Sequence, residues 1–345
     1  MHAILVQTLA GNGVIAKTPT DGGVSCLTLA CALAAREGLP ISLVSGSGAE
    51  LSQALVRAET IRCLSFVGGR DVGGQLATTL ANASKRHILE QEGLNCWGVR
   101  EYGDWGKLAE QIRKTHDYAK QRCTAYPRFA VQRELFNDFL GAYLPAVQSI
   151  SLGHPLAVED PADGLPNLDF GPLINAAKAK ELQDQVDEAI AKGGVPLLRG
   201  SLGSGLFLPG QDTSAYMAPV AILSPPRSSP LHHSEPFGPV DTIVLVDTEA
   251  EFLAPMNASN GALVSTISCD DEETASRLAA DVRAFKVGIN TPRSGGDRDE
   301  LFGGKGASWQ GAFVGGEVLV RAVTRGPEDD RLPGNFPTYS LYPAA

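Results

Sequence analysis

The chain has 345 residues, enough for two domains at roughly 150 residues each, and its 43% hydrophobic and 20% charged content is that of a folded globular protein. A formal charge of -10, with no run of Lys or Arg, argues against nucleic acid or an anionic membrane as partner, and no stretch approaches the roughly 20 apolar residues of a membrane span. The expectation is a cytoplasmic protein acting on a small molecule.

Short β-rich runs alternate with helical patterns at the start of the chain, the signature of βαβ units and a parallel sheet. Val14–Ala16 reads as a strand and Asp21–Glu37 as a helix with Leu27, Ala30, Leu33 and Ala34 on one face, stopped by Gly38 and Pro40. Ile41–Ser45 is the next strand. The turn Ser45-Gly46-Ser47-Gly48 leads into a helix to Ala58, followed by the strand Ile61–Val67. Gly68-Gly69 opens a helix over Asp71–Lys85, and His87–Glu90 is a short strand. A second domain begins near Cys96. It opens with a helix over Trp105–Lys120, an extended Arg128–Val131 and a helix over Glu134–Val147. Further helices are expected at Ala176–Lys192 and Glu272–Ala284, with strands at Val195–Leu198, Thr242–Val246, Val264–Ser268 and Val287–Asn290. Pro/Gly-rich linkers occupy 153–172, 200–214 and 224–239, and the tail beyond Arg325, with Glu328-Asp329-Asp330, is peripheral. The expected domains are 1–96 and 97–307, with 308–345 as a return segment and tail.

Six cysteines lie at 26, 31, 63, 96, 123 and 269, in no C-x-x-C pair and no zinc-ligand spacing, so reduced thiols and no metal site are expected. Most free cysteines are simply buried. Cys123 differs in standing between a helical stretch and an extended one, at the expected domain junction, where a thiolate can attack a carbonyl. Glu90 ends the last strand of the first half and is a candidate base for the thiol or a water, or else a surface carboxylate. The glycine turns at 45–48 and 66–73 can offer backbone N–H groups to a phosphate or can be backbone geometry alone. His232-His233 is most simply a loop or solvent-facing pair, and Trp97 and Trp105 line a tunnel or, more simply, pack in the core.

Several motifs fall in one order: Gly11-Asn12 with Lys17-Thr18-Pro19, Phe66 to Gly73, Leu89-Glu90-Gln91-Glu92-Gly93, Gln121-x-Cys123-x-Ala125-x-x-Arg128, Glu235-Pro236-Phe237-Gly238-Pro239-Val240 and Phe302-Gly303-Gly304. The chain thereby resembles the NAD(P)-dependent aldehyde dehydrogenase superfamily from Ala10 to Thr324. The resemblance implies an α/β protein, a Rossmann-like parallel-sheet cofactor domain, incomplete at its N-terminus, plus an α/β catalytic domain. Its active site is expected at their junction. By the same resemblance Cys123 is the nucleophile, forming a thiohemiacetal and then a thioester with the aldehyde, and Glu90 activates the hydrolytic water. The Cys123 backbone N–H helps hold the oxyanion. Lys17 matches the lysine on the adenosine ribose, and Gly48, Gly68, Gly69 and Gly73 belong to the cofactor-binding turns. Glu235 matches the carboxylate on the nicotinamide ribose, and Phe237 packs beside the nicotinamide.

Departures from the pattern are visible. Gly69 stands where the family has serine, Glu92-Gly93-Leu94 where it has Gly-Gly-Lys, and Trp309 where a glycine is usual. Thr20 replaces an acidic residue that repels a 2′-phosphate, so NAD or NADP is accepted, with NADP mildly favoured. The family also has a preceding segment with the first cofactor-domain strand, part of an oligomerisation ribbon and a second oxyanion donor, so the expectation is either a start upstream of Met1 or a degenerate copy. Three functions stay open: oxidation of an aldehyde to a carboxylate with NAD(P), a catalytically impaired relative that binds nucleotide or a partner, and a coenzyme A-acylating enzyme. A homodimer or homotetramer is implied, with no nucleic acid or membrane partner.

Overall fold

The computed structural model describes residues 2–19, 21–83, 85–158, 160, 162, 164–259, 261–293, 299–326 and 331–336. Two compact units emerge, one built from Met1–Gln91 and Gly296–Ala345, the other continuous over Glu92–Gly295. The first boundary lies ahead of residue 96 and the return begins ahead of 308, because hydrogen bonding ties the C-terminal strands back to the first unit.

In the first unit, α1 (His2–Leu9) and β1 (Val14–Lys17) precede α2 (Val24–Arg36), β2 (Ile41–Val44), α3 (Gly48–Arg57), β3 (Cys63–Gly68), α4 (Arg70–Asn82) and β4 (Arg86–Gln91). Strands β1 and β2 form a parallel pair, Val14 opposite Ile41, and β3 and β4 another, Cys63 opposite Arg86. α2 starts at Val24, later than its periodicity suggests, because Gly22 and Gly23 take left-handed φ values of 70° and 66° just before it. One face of α4 buries Leu76, Ala77 and Leu80 against Leu89 and Val56, the small core of this unit.

The second unit runs β5 (Cys96–Val99), α5 (Trp105–Thr115), β6 (Arg128–Gln132), α6 (Phe136–Gln148), α7 (Ala176–Ala191), β7 (Val195–Arg199), β8 (Val220–Leu223), α8 (Pro230–His233), β9 (Val240–Val246), α9 (Glu249–Met256), β10 (Ala262–Ser268), α10 (Glu272–Ala280) and β11 (Ala284–Ile289). Its strands make one sheet in the order β11-β10-β5-β6-β9-β8-β7, parallel except for β7. Every residue of β5 and of β10 is buried, as expected of strands covered on both faces. α7 forms because Asn175 caps the Lys178 N–H at 2.8 Å, Lys180 pairs with Asp184 one turn on, and Leu182, Val186 and Ala189 make an apolar stripe. That stripe packs on Leu173, Met217 and Val240, and burying each Leu or Val contributes about 2 kcal/mol.

The helix expected over Trp105–Lys120 stops at Thr115. Beyond it Tyr118, Ala119 and Lys120 all take left-handed conformations, φ 58°, 53° and 56°, which no periodicity signals. The helix expected to Ala284 ends at Ala280, and Ala284 begins β11. Trp97 belongs to the core: its indole N–H donates to Ser268 Oγ at 2.9 Å and its ring stacks on Phe129. Returning to the first unit, β12 (Trp309–Ala312) pairs antiparallel with β4, placing Trp309 opposite Glu90, and α11 (Val318–Arg321) and β13 (Gly334–Asn335) follow. Glu328-Asp329-Asp330 lies outside the described residues.

Candidate active site

Cys123 sits in a turn closed by the Ala125 N–H donating to the Arg122 carbonyl at 3.0 Å, and its side chain is partly exposed. Three side chains tie this turn to other parts of the unit. Asn95, fully buried ahead of β5, donates from Nδ2 to the Cys123 and Ala125 carbonyls, both at 2.7 Å. Its Oδ1 accepts from the Leu263 and Val264 N–H groups of β10, each at 3.2 Å, so all of its hydrogen-bonding capacity ties the turn to the sheet. Gln121 accepts from the Ile174 N–H at 2.8 Å and donates to the Pro172 carbonyl at 3.2 Å.

The third anchor is ionic. Lys120 is 1% exposed; its ammonium donates to the Tyr126 carbonyl at 3.0 Å and pairs with Asp241 of β9, itself 0% exposed. Asp241 also accepts from Tyr143 at 2.7 Å and lies 3.4 Å from His116 Nε2. Burial pushes the Asp241 carboxyl up, but Lys120 and His116 outweigh it and bring it down to about 2. Burial pulls the Lys120 ammonium down, with Asp241 opposing. The pair is ionised, because Asp241 is surrounded by donors. Left-handed backbone at three consecutive non-glycine residues costs about 1–2 kcal/mol each. The Lys120 anchor helps to offset that cost.

Burial pushes the Cys96 thiol up to about 12 and raises Cys63 and Cys269, which disfavours their thiolates. Arg128 is wholly buried and donates to the Leu231 carbonyl of α8 at 2.8 Å, fixing the segment that leads to Glu235. Glu235 is 6% exposed and accepts from the Gly93 N–H at 3.4 Å. Two residues on, Phe237 has φ 52° and is 40% exposed, while a side chain at Gly238 would run into Leu182.

In the first unit, Glu90 lies on β4 opposite Val67 of β3. Lys17 ends β1, and a Cβ built on Gly48, the first residue of α3, would lie 3.8 Å from the Lys17 ammonium. The two candidate contacts are therefore brought together at a helix N-terminus. Gly68 ends β3, and Gly69 is the N-cap of α4 with open space where a side chain would be. Gly73 has a packing role: a Cβ there would come within 2.5 Å of Gln91, so its absence lets α4 lie against β4. Thr20 lies outside the described residues.

A sequence model of the aldehyde dehydrogenase family matches residues 1–325. The chain belongs to that family. Among curated aldehyde dehydrogenase relatives, the glutarate-semialdehyde dehydrogenase of Pseudomonas putida is 28% identical over 82% of this chain and 56% of its own length. An NAD-dependent aldehyde dehydrogenase from Sinorhizobium meliloti superposes with a TM-score of 0.79 at 24% identity, over 91% of this chain and 60% of that one. A glyceraldehyde-3-phosphate dehydrogenase from Methanocaldococcus jannaschii, complexed with NADP, does so at 0.77 and 23% identity, over 91% and 65%. The chain spans about three fifths of the length of the curated relatives it matches. Its α/β fold, with the Rossmann-like arrangement of the aldehyde dehydrogenases, is shared with those structures. No helix among the described residues is long and apolar enough to cross a membrane.

The sequence reading missed Asn95, Lys120 and Asp241. Asn95 had a signal, a lone amide inside the apolar run Leu94 to Val99. Lys120 and Asp241 had none, being 121 positions apart.

Proposed function

We propose that this chain oxidises an aldehyde to a carboxylate with NAD or NADP, Cys123 being the nucleophile. The observation that carries the reading is the presentation of Cys123: a partly exposed thiol on a turn anchored through Asn95, Gln121 and Lys120, in a chain of this family. The Cys123 thiolate adds to the carbonyl carbon, forming a C–S bond while the carbonyl π electrons move to oxygen. The backbone N–H of Cys123 stabilises that oxyanion by about 3 kcal/mol, the scale of one such donor. NAD(P)+, when bound, would supply the hydride acceptor, and loss of hydride from the adduct carbon would leave a thioester on Cys123. Glu90 takes a proton from water, whose oxygen attacks the thioester carbon, and the C–S bond breaks to release carboxylate and thiol.

The residues present fit the cofactor. Lys17 and Gly48 meet at the start of α3, Gly69 leaves the start of α4 open, and the exposed Phe237 ring follows the near-buried Glu235 carboxylate. Lys17 and Thr20 are assigned to the adenosine ribose, Gly48, Gly68 and Gly69 to the phosphates with Gly73 shaping the helix, and Glu235 and Phe237 to the nicotinamide half. Thr20 in place of an acidic residue supports NADP slightly over NAD. We assign the cofactor role to the first unit and the thiol chemistry to the second, in a cytoplasmic homodimer or homotetramer, the last two being carried by the family resemblance.

Purified chain is expected to form NAD(P)H with an aldehyde. Cys123→Ala should lower that rate by at least about 10³-fold with an unchanged circular dichroism spectrum. Glu90→Gln should accumulate a covalent acyl adduct at Cys123, seen by intact-mass spectrometry. Undiminished turnover by the Cys123 variant removes the assignment.

A further inference from the structure

The Lys120 ammonium is held by three groups from different stretches of the second unit. The Tyr126 carbonyl accepts from it at 3.0 Å, Asp241 of β9 pairs with it, and the centroid of the Phe129 ring, on β6, lies 5.6 Å from its nitrogen. Lys120 and Tyr126 are six positions apart, and Cys123 stands midway between them. The bond from Lys120 to Tyr126 therefore closes a ring of chain with the nucleophile at its middle. The far side of that ring is fixed as well, since the Tyr126 hydroxyl donates to the Arg293 carbonyl and accepts from the Arg293 N–H, both at 2.9 Å.

Stability alone is a poor reason for such a pair. Two charges taken out of water lose about as much hydration as their attraction returns, and apolar residues of similar size commonly serve a core as well or better. What a buried pair can supply instead is one geometry in preference to others. The backbone ahead of Cys123 is where such a device is needed, because Tyr118, Ala119 and Lys120 are left-handed non-glycine residues, a conformation that relaxes unless its surroundings hold it. Asp241 is held in its turn: its second oxygen accepts from Tyr143 of α6 at 2.7 Å and lies 3.4 Å from His116 Nε2.

We propose that Lys120 and Asp241 are positioning residues for the Cys123 thiolate. Asp241 holds the ammonium, the ammonium holds residues 120 and 126 together, and the closed turn keeps the thiolate in line with the backbone N–H that receives the oxyanion. Neither side chain touches the substrate or takes part in bond making. The proposal rests on the reading of Cys123 as the nucleophile and deepens it by naming what sets its alignment. Its consequence is selective. Acyl transfer to the thiolate develops an oxyanion and depends on that alignment, whereas alkylation of the same thiol by iodoacetamide develops none and depends on access and thiolate content.

The test follows two reactions at the Cys123 peptide by mass spectrometry, acylation by 4-nitrophenyl acetate and alkylation by iodoacetamide, in the full chain and in Lys120→Met combined with Asp241→Asn. The double variant removes both charges together, so the fold is kept while the clasp on Tyr126 is lost. Its acylation should slow by at least about tenfold, with alkylation changed by less than about threefold, since a small misplacement costs acyl transfer far more than it costs access. Lys120→Gln with Asp241→Asn, which keeps a neutral donor for the Tyr126 carbonyl, should fall between, and it decides the matter if the first pair of substitutions does not fold. A ratio of acylation to alkylation equal to that of the wild type in the folded variant overturns the proposal, leaving the pair a fold anchor only. So does a parallel loss of both reactions, which would make the pair a control of access. Wild type acylated at a residue other than Cys123 removes the nucleophile reading itself, and the proposal with it.

Discussion

Asn95→Ala isolates the contribution of one side chain to the shape of the nucleophile turn. Its amide spans the turn and β10 through four hydrogen bonds of 2.7 to 3.2 Å, and the residue is fully buried. Truncation leaves two carbonyls and two N–H groups without their partner. At about 1 kcal/mol net per bond, with some recovery by water entering the space vacated, the loss is about 2–4 kcal/mol. For a urea m-value of about 2 kcal/mol/M the midpoint moves down by about 1–2 M, followed by tryptophan emission of the second unit. Hydrogen exchange gives the local signature: the Leu263 and Val264 amides lose protection together. A loss under about 0.5 kcal/mol with both amides still protected would refute the view that Asn95 holds the turn.

Lys120→Met strands Asp241 without its ammonium and should cost about 3–5 kcal/mol in urea unfolding, whereas the double variant with Asp241→Asn should recover much of that loss; a double variant as unstable as the single one contradicts a charge-pair anchor. Burial holds His116 below its ordinary 6.5, with Lys120 adding to the shift, and His87 likewise by burial. The unfolded chain therefore binds more protons than the folded one below that value, and stability falls as pH drops from 6.5. Asp241, at about 2 against an ordinary 3.8, adds a further loss only as pH falls from 3.8 toward 2. Urea midpoints at about pH 7.5 and 5.5 should show the decline, and His116→Gln should reduce it, leaving the part that His87 and His232 contribute. A midpoint independent of pH over that interval counts against the neutral buried imidazoles.

Elements with one clean period were readable. α7 shows its stripe and its Asn175 cap in the sequence, and the β-rich run ending at Glu90 sits on β4 within a residue or two at each end. α9 has no counterpart in the expected elements although Thr248-x-x-Glu251 spells a capping box that the structure forms; the helix is short and carries Pro255 near its end, which interrupts a helical pattern. β5 is buried at every position and so has no alternation to betray it. α1 is short and mostly apolar, with Gln7 and Thr8 side by side near its end, and shows no clear period. Within the candidate site, Cys123, Glu90 and Glu235 were found by motif order, whereas the left-handed turn at Tyr118 to Lys120 depends on a partner 121 positions away. Local propensity carries no information about such a contact.

The first unit is made from both ends of the chain, and β4 finds its antiparallel neighbour only at Trp309. On the ribosome the nascent chain must extend through all of the continuous second unit before that ladder can close, a delay of roughly 20 s at about 10 residues per second. Throughout it, one flank of β4 presents unpaired N–H and C=O groups that any extended segment could claim. The order of synthesis thus makes the discontinuous unit the last to close, and the one in which chaperone dependence and mispairing should concentrate.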